Sequence, residues 1–114
     1  MLTPGKTDNE ICKNFRWQVP EFYNIGVDIC DKHAHDQNRV ALIYENDRGD
    51  VFQYTFHQLQ QYSNQLANAF QAHEIQIGDR IGILRPQCPE TAITHIAAYK
   101  VGAVAIPLFT PFGS

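Results

Sequence analysis

The side chains best suited to chemistry are Cys30, His33 and His35, which lie close together in the sequence. Thiolate and imidazole groups are the ligands that structural zinc prefers, in sets of four. The apolar spacing predicts a helix over residues 25–36 with Asn24 as its N-cap. On such a helix only Cys30 and His33 share a face, and no second Cys/His pair completes the set. The segment therefore favours a solvated polar face over a metal site.

Other reactive residue types stand alone. Ser63 falls in the middle of a predicted helix, without a nearby base or the strand-to-helix elbow of a serine hydrolase. Gly78 and Gly82 are four residues apart, but Gly82 lies inside a predicted strand rather than before a helix, so they do not form a phosphate loop. His95 has apolar neighbours, as a core or interface histidine does. From these residues we predict no catalytic, cofactor-binding or metal-binding site.

Length, composition and charge limit the classes of protein to which the chain can belong. The 114 residues suffice for about one domain, and 44% are hydrophobic, which is enough for a core. Nine basic and twelve acidic residues give a net charge of −3, without the basic cluster that nucleic acid or an acidic membrane would require. The three cysteines are few and widely spaced, as in a reducing compartment. No signal sequence or membrane span is evident, so we expect a soluble, cytoplasmic chain.

The first 21 residues are expected to form an N-terminal arm, of which residues 1–14 show no periodicity. Five apolar or aromatic residues follow within nine positions: Phe15, Trp17, Val19, Phe22 and Tyr23. We expect their side chains to pack on the body of the protein. An aromatic platform for a substrate is the alternative interpretation.

The middle of the chain predicts a hairpin followed by a long helix. Residues 40–44 and 51–54 are β-prone and are separated by turn formers, which favours antiparallel pairing. Thr55 and Gln58 form a capping box. The helix of about 16 residues that follows is expected to bury an apolar stripe: Phe56, Leu59, Tyr62, Leu66, Ala69 and Phe70. In the connector at 74–78, both isoleucines are expected to point inward.

The last third reads as strand, loop, helix and strand. Ile81, Ile83 and Leu84 form a short apolar strand, and Pro89 suits the first turn of a helix. Gly102 is placed to end that helix in the left-handed conformation, and residues 103–106 form a second apolar strand. A helix that joins two such strands makes a βαβ crossover with parallel strands.

This pattern is the beginning of a larger sheet. Apolar parallel strands are normally covered on both faces, but no further strand follows here, so residues 103–106 would have an unpaired edge. Phe109 and Phe112 would also be left exposed. The fold class predicted is therefore α/β: the N-terminal portion of a doubly wound, mostly parallel sheet domain with an antiparallel hairpin, truncated.

Several stretches in this order resemble the AMP-dependent synthetase/ligase (acyl-adenylate-forming) family, nearest the N-terminal part of its short- and medium-chain acyl-CoA synthetases. The first signature is YTFHQL at 54–59, followed by SNQLAN at 63–68 and the strand GDRIGIL at 78–84. The second is KVGAVAIPL at 100–108, which matches Lys-x-Gly-Ala-x-x-x-Pro-Leu. FYNIGVD at 22–28 and ALIYE at 41–45 also look like this family. The resemblance implies that residues 22–114 are a partial N-terminal region of an AMP-binding domain.

The resemblance implies an acid–thiol ligase that uses ATP, magnesium and coenzyme A to form a thioester through an acyl-adenylate. In the family the ATP-binding loop and the catalytic lysine lie downstream, so no catalytic residue is carried over and this segment is expected to bind no cofactor. Its implied partner is the remainder of the synthetase chain; the carboxylic acid and coenzyme A would meet only the full-length enzyme. Family members commonly end the long helix with glycine, where this chain has His73 and Glu74.

Two other interpretations stay open. The chain could be a stand-alone α/β interaction or regulatory module that pairs its open strand edge with another chain. It could also be a nucleotide-binding regulator, although that needs a glycine loop that the sequence does not show. Whether the chain is itself an enzyme is left open by the residues alone.

Overall fold

The computed structural model describes residues 7–18 and 20–108 and shows a mixed α/β fold. Within these residues two pairs of strands are combined with four α-helices and one 3-10 helix. In chain order the elements are α1 Asp8–Asn14, α2 Ile25–Ile29, the 3-10 helix Asp31–His33, β1 Val40–Glu45, β2 Val51–Thr55, α3 Phe56–Ala72, β3 Arg80–Ile83, α4 Pro89–Lys100 and β4 Val104–Pro107.

Strands β1 and β2 form the predicted antiparallel hairpin, with Ile43 opposite Gln53. The turn is organised by Asn46, whose side-chain oxygen accepts hydrogen bonds from the backbone N–H groups of Arg48 and Asp50. Gly49 takes the positive φ of 83° that the reversal requires. The hairpin prediction is confirmed, with each strand one residue longer than expected.

Helix α3 begins with the predicted capping box, in which Thr55 and Gln58 satisfy each other's backbone N–H groups. The predicted buried face is partly wrong. Tyr62 is 41% exposed and Ala69 is also exposed. The fully buried positions are Leu59, Ser63 and Ala67. Small side chains at 63 and 67 let α4 approach closely, and this packing rotates the buried face away from the stripe of largest residues.

The connector after α3 is a tight turn. Ile75 points inward and packs on the core, as predicted, but Ile77 is 88% exposed, so the inward orientation expected for it is wrong. Asp79 accepts a hydrogen bond from the Gln76 N–H at 2.8 Å, and its own N–H binds the Gln76 carbonyl. This closed turn directs Ile77 to the surface.

The βαβ prediction is confirmed, because β3 and β4 are parallel with Arg80 opposite Val104. Pro89 lies in the first turn of α4, and Gly102 ends the helix with a φ of 72°. The predicted strand bounds need correction. The first strand ends at Ile83 and leaves Leu84 66% exposed, and the second runs from Val104 to Pro107 rather than from 103 to 106.

Helix α4 is the centre of the core. Ala97 and Ala98 are completely buried, and with Ala67, Val101 and Ala103 they form the cluster between α3, α4 and the parallel strands. A second cluster joins α2, the hairpin and α3 through Cys30, Leu59 and Ile96. A helix so rich in alanine can be approached closely from several sides, which is why α2, α3 and both parallel strands pack on it.

The N-terminal region contains a helix, and most of the aromatic rings that follow it are not packed as predicted. Residues 8–14, which show no periodicity in the sequence, form α1, which Thr7 caps by accepting from the Glu10 N–H. Three of the aromatic rings do not pack on the body: Trp17 is 83%, Phe22 is 87% and Tyr23 is 59% exposed. Trp17 instead meets Phe15 edge-on at 4.9 Å between ring centroids. Val19 lies outside the described residues.

The helix predicted over residues 25–36 is also shorter than expected. It ends at Ile29, and a 3-10 helix, Asp31–His33, follows after Cys30. The N-cap prediction is confirmed, since Asn24 accepts from the Val27 N–H at 3.2 Å. The backbone of Cys30 is not helical, with a φ of −127° and a ψ of −64°. Its side chain is buried in the core, where the thiol donates to the Phe56 carbonyl.

In the part of the chain that the structure describes, β3 and β4 pair only with each other, so the unpaired edge predicted for the second parallel strand is present. The phenylalanines at 109 and 112, expected to be exposed, lie outside the described residues. None of the helices described is long and apolar enough to cross a membrane.

Candidate functional site

A cleft of about 580 Å³ lies between β1, the first half of α4 and the end of β4. Most of its lining is apolar, with a few polar side chains at its α4 side. The lining residues are Ile29, Leu42, Ile43, Tyr44, Gln87, Cys88, Pro89, Thr91, Ala92, His95, Ile96 and Pro107.

The position of this cleft follows from the topology. Gln87 and Cys88 come just after β3, and Pro107 ends β4, so the cleft opens at the carboxyl ends of both parallel strands. In open α/β sheets this is the edge at which ligands bind. The cleft is therefore the candidate site.

Three of the polar side chains that line the cleft, those of Cys88, Thr91 and His95, already have polar partners. His95 Nδ1 lies 3.3 Å from the Tyr99 hydroxyl. Thr91 donates from its hydroxyl to the Pro86 carbonyl at 2.8 Å and lies 3.5 Å from the Cys88 sulfur. The arrangement can hold an apolar group, but it offers no pair of free groups positioned for acid–base catalysis.

The mouth of the cleft carries a small charged pair. Arg85 lies 3.6 Å from Glu90 and 3.9 Å from the sulfur of Cys88. A hydrogen bond from the Cys88 thiol lowers the pKa of Glu90, and its own backbone N–H and the Arg85 charge act in the same direction. Both side chains of the ion pair are more than half exposed, so they contribute little to stability.

The structure separates the three residues considered as metal ligands. Cys30 is buried, its thiol donates to the Phe56 carbonyl at 3.7 Å, and burial raises its pKa. His33 Nδ1 lies 3.2 Å from a guanidinium nitrogen of Arg39, while His35 Nδ1 lies 3.0 Å from the Lys32 carbonyl. Among the described residues no three His, Cys, Asp or Glu side chains are grouped to hold a metal ion.

Ser63 and the glycines have structural roles. Ser63 is buried in α3 and donates from its hydroxyl to the Gln60 carbonyl at 3.1 Å. Gly78 has a φ of 89° and its N–H binds the Gly102 carbonyl at 2.9 Å, which ties the start of β3 to the end of α4. The turn from β3 to α4, residues 84–88, contains no glycine, so it does not fit a phosphate cradle and we derive no nucleotide-binding step for it.

Sequence reasoning missed the polar centre of the fold, which is Lys100. Its ammonium lies 2.7 Å from Asp31 Oδ1 and donates to Asn64 Oδ1 at 2.6 Å. The Lys100 side chain is only 8% exposed and that of Asp31 22%. The only signal in the sequence was that Lys100 opens the second signature, and nothing in the spacing indicated either partner.

The fold and the cleft define an α/β protein whose candidate site lies at the carboxyl ends of parallel strands. Comparison with known proteins gives the family. The family described as AMP-binding enzyme matches residues 30–114, about three quarters of the chain. The chain therefore belongs to the AMP-binding enzyme family.

Curated relatives agree. Acetyl-coenzyme A synthetase of Streptomyces coelicolor is 34% identical over 101 residues, which cover 87% of this chain and 16% of that protein. Acetyl-coenzyme A synthetase of Bacillus subtilis is 35% identical over 92 residues, covering 78% of this chain and 16% of that protein. The chain thus spans about one sixth of the length of the relatives it matches.

Solved structures show the same fold. An acyl-CoA synthetase from Brucella canis superposes with a TM-score of 0.74 at 33% identity, covering 80% of this chain and 17% of the other. A fatty acid AMP ligase from Legionella pneumophila has a TM-score of 0.71 at 23% identity, which shows the fold alone. The resemblance and the α/β fold class inferred from the sequence are confirmed, and the match is to the N-terminal portion of such synthetases.

Proposed function

We propose that this chain is the opening segment of an acyl-CoA synthetase and that it contributes scaffold rather than reacting groups. The observation that carries the proposal is the family match over residues 30–114 by a chain that covers only 16% of its acetyl-CoA synthetase relatives. The unpaired edge of β4 and the apolar cleft beside it provide a surface on which more of the large domain can pack.

The reaction proposed for the complete enzyme has two steps. A carboxylate oxygen attacks the α-phosphorus of ATP, the bond to the bridging oxygen breaks, and pyrophosphate leaves with magnesium. The coenzyme A thiol then attacks the acyl carbon of the adenylate, AMP leaves, and the thiol proton is released. Charge on the reacting phosphoryl oxygens must be stabilised by cations and oriented N–H groups. Among the described residues the cleft offers Arg85 alone as a cation near its mouth.

The domain division and the location belong to the same proposal. We assign residues 1–21 to an arm and 22–114 to the partial AMP-binding domain, and we place the protein in the cytoplasm. The exposed ring of Trp17 supports the separate character of the arm. Free cysteines at 12, 30 and 88 are compatible with a reducing compartment.

The test is a segment exchange. The matching part of Bacillus subtilis acetyl-coenzyme A synthetase is replaced by this chain, and acetate-dependent exchange of pyrophosphate into ATP is measured. We expect exchange by the chimera and none by the 114 residues alone. The control is the same enzyme with its own segment reinserted through the same junctions. A chimera that melts cooperatively but shows no exchange, or exchange by the short chain alone, would contradict the proposal.

A second candidate is a stand-alone interaction module, favoured by the unpaired strand edges and by apolar side chains such as Ile43 and Leu84, each 66% exposed. For this candidate the isolated chain should be monodisperse, melt cooperatively and bind little of the dye ANS. Strong ANS binding or precipitation would count against it and in favour of a segment that needs its remainder.

A further inference from the structure

The outward face of α3 has a composition unlike the rest of the chain. None of the 17 residues of this helix is Asp, Glu, Lys or Arg. With 18% charged residues in the chain, about three would be expected in this length. Eight positions of α3 are exposed. Asn64 is bound to Lys100, and Gln71 lies on the same side of the helix two turns later, so neither belongs to the outward face. The other six carry amides, one tyrosine and two alanines: Gln61, Tyr62, Gln65, Asn68, Ala69 and Ala72. We call these six residues the amide face.

The amide face lies opposite the core. At 3.6 residues per turn, Gln65 points roughly away from Ser63 and Ala67, which are the buried positions packed toward α4. Within the described residues the face is therefore free of the contacts that hold α3 in place. Surface helices usually carry charges on this side, whereas depletion of charge with an exposed tyrosine is typical of protein interfaces.

We propose that the amide face binds a second copy of this chain, with α3 lying antiparallel to α3 across a two-fold axis near Gln65. In such an interface the same patch meets itself, so a charged patch would repel its copy. The amide face carries no formal charge, and the chain as a whole carries only −3, which keeps long-range repulsion small.

The order of residues along the face is self-complementary. Tyr62 and Ala69 lie at equal distances on either side of the midpoint between Gln65 and Leu66. An antiparallel partner therefore places each Tyr62 ring over the small Ala69 of the other copy. Each Gln65 then lies half a residue from the axis and beside the Gln65 of the other copy, and a side-chain amide can both donate to and accept from its own kind.

The expected contact is small. A helix of 17 residues is about 25 Å long, so two such helices bury less than the roughly 800 Å² per partner of a standard interface. We therefore expect a weak dimer that forms with rising concentration. The inference stands apart from the proposed function, because it concerns a face away from the cleft and from the edge of β4.

The experiment is a charge exchange at the proposed axis, read by sedimentation equilibrium over a series of concentrations. Gln65→Glu and Gln65→Lys each place like charges opposite each other, and each should weaken self-association at least about tenfold. An equal mixture of the two variants should restore it, since unlike charges then meet. Both new residues are good helix formers at an exposed position, so the fold should be kept.

Gln37→Lys and Gln37→Glu, in an exposed turn distant in sequence, are the matched controls and should leave association unchanged. Association that is equally strong in the Gln65 variants would overturn the proposal and direct attention to the edge of β4. A chain that stays monomeric at all concentrations would overturn it as well.

Discussion

The side-chain amide of Asn24 donates a hydrogen bond to the main-chain carbonyl of Lys100, with 3.0 Å between Nδ2 and O, although 76 residues separate them in sequence. The other end of the same side chain caps α2 by accepting from the Val27 N–H. One asparagine thus starts a short helix and attaches it to the last turn of α4. Two pieces of the family pattern, at 22–28 and at 100–108, are therefore joined in space.

The close approach of α2 to α4 depends on Gly26. A Cβ atom there would lie 2.7 Å from Lys100 Cγ and 3.0 Å from the Ile96 carbonyl oxygen. Because the carbonyl belongs to a rigid helix, we expect Gly26→Ala to lower the free energy of unfolding by about 1–2 kcal/mol despite the better helix propensity of alanine. Urea unfolding followed by circular dichroism measures this. Gly82→Ala is the control, since its Cβ would meet Leu108 at an ordinary 3.6 Å. Equal effects of the two substitutions would contradict the argument.

Lys100 should be a major determinant of stability. Asp31 Oδ1 is buried and has no other hydrogen-bond partner among the described residues, so Lys100→Met would leave a carboxylate without compensation. We expect a loss of about 2–3 kcal/mol, at or below the low end for fully buried pairs because Asp31 keeps some exposure. The double variant Lys100→Met with Asp31→Asn removes the stranded charge and should recover part of the loss. If the loss in the double variant equalled the sum of the losses from Lys100→Met and Asp31→Asn alone, the two side chains would not be coupled.

The end of α3 contains a testable backbone strain. Glu74 has a φ of +62°, the left-handed conformation that glycine adopts without the steric cost of a Cβ atom. Two backbone hydrogen bonds end the helix there: the Ile75 N–H donates to the Phe70 carbonyl and the Glu74 N–H donates to the Gln71 carbonyl, each at 3.0 Å. We expect Glu74→Gly to raise the free energy of unfolding by about 0.5–1 kcal/mol. Glu74→Ala keeps the strain and should give no such gain; a thermal melt of the three chains distinguishes these outcomes.

Stability should fall on mild acidification because of His33. Partial burial, and then the charges of Arg39 and Lys32, lower the pKa of His33 below its ordinary value of 6.5. The unfolded chain therefore binds the proton more readily than the folded chain. The contribution of neutral His33 to the free energy of unfolding is fully present above pH 6.5 and is lost as the pH falls toward the lower pKa of the folded state. NMR titration of the ring measures the pKa directly. Arg39→Gln should raise it, and no change in that variant would contradict the assigned cause.

Local sequence rules predicted the parts of the fold that depend on neighbouring residues. The capping box of Thr55 and Gln58, the proline in the first turn of α4 and the left-handed Gly102 were all confirmed. The same applies to the hairpin, whose turn is held by Asn46. Each of these features involves residues within about five positions of one another, so the spacing of those residues in the sequence predicts the interaction.

Tertiary structure decided which helix face is buried and which distant residues become partners, because the spacing of residues in the sequence does not contain this information. The buried face of α3 follows Ser63 and Ala67 because α4 packs there, although larger apolar residues lie elsewhere on the helix. Lys100 acquires Asp31 and Asn64 as partners only when three distant segments meet. The sequence by itself determined the family and the order of the hairpin, the long helix and the βαβ unit, since these rest on short-range pattern. The cleft and the polar centre needed the folded chain, because packing free energy depends on which surfaces come into contact.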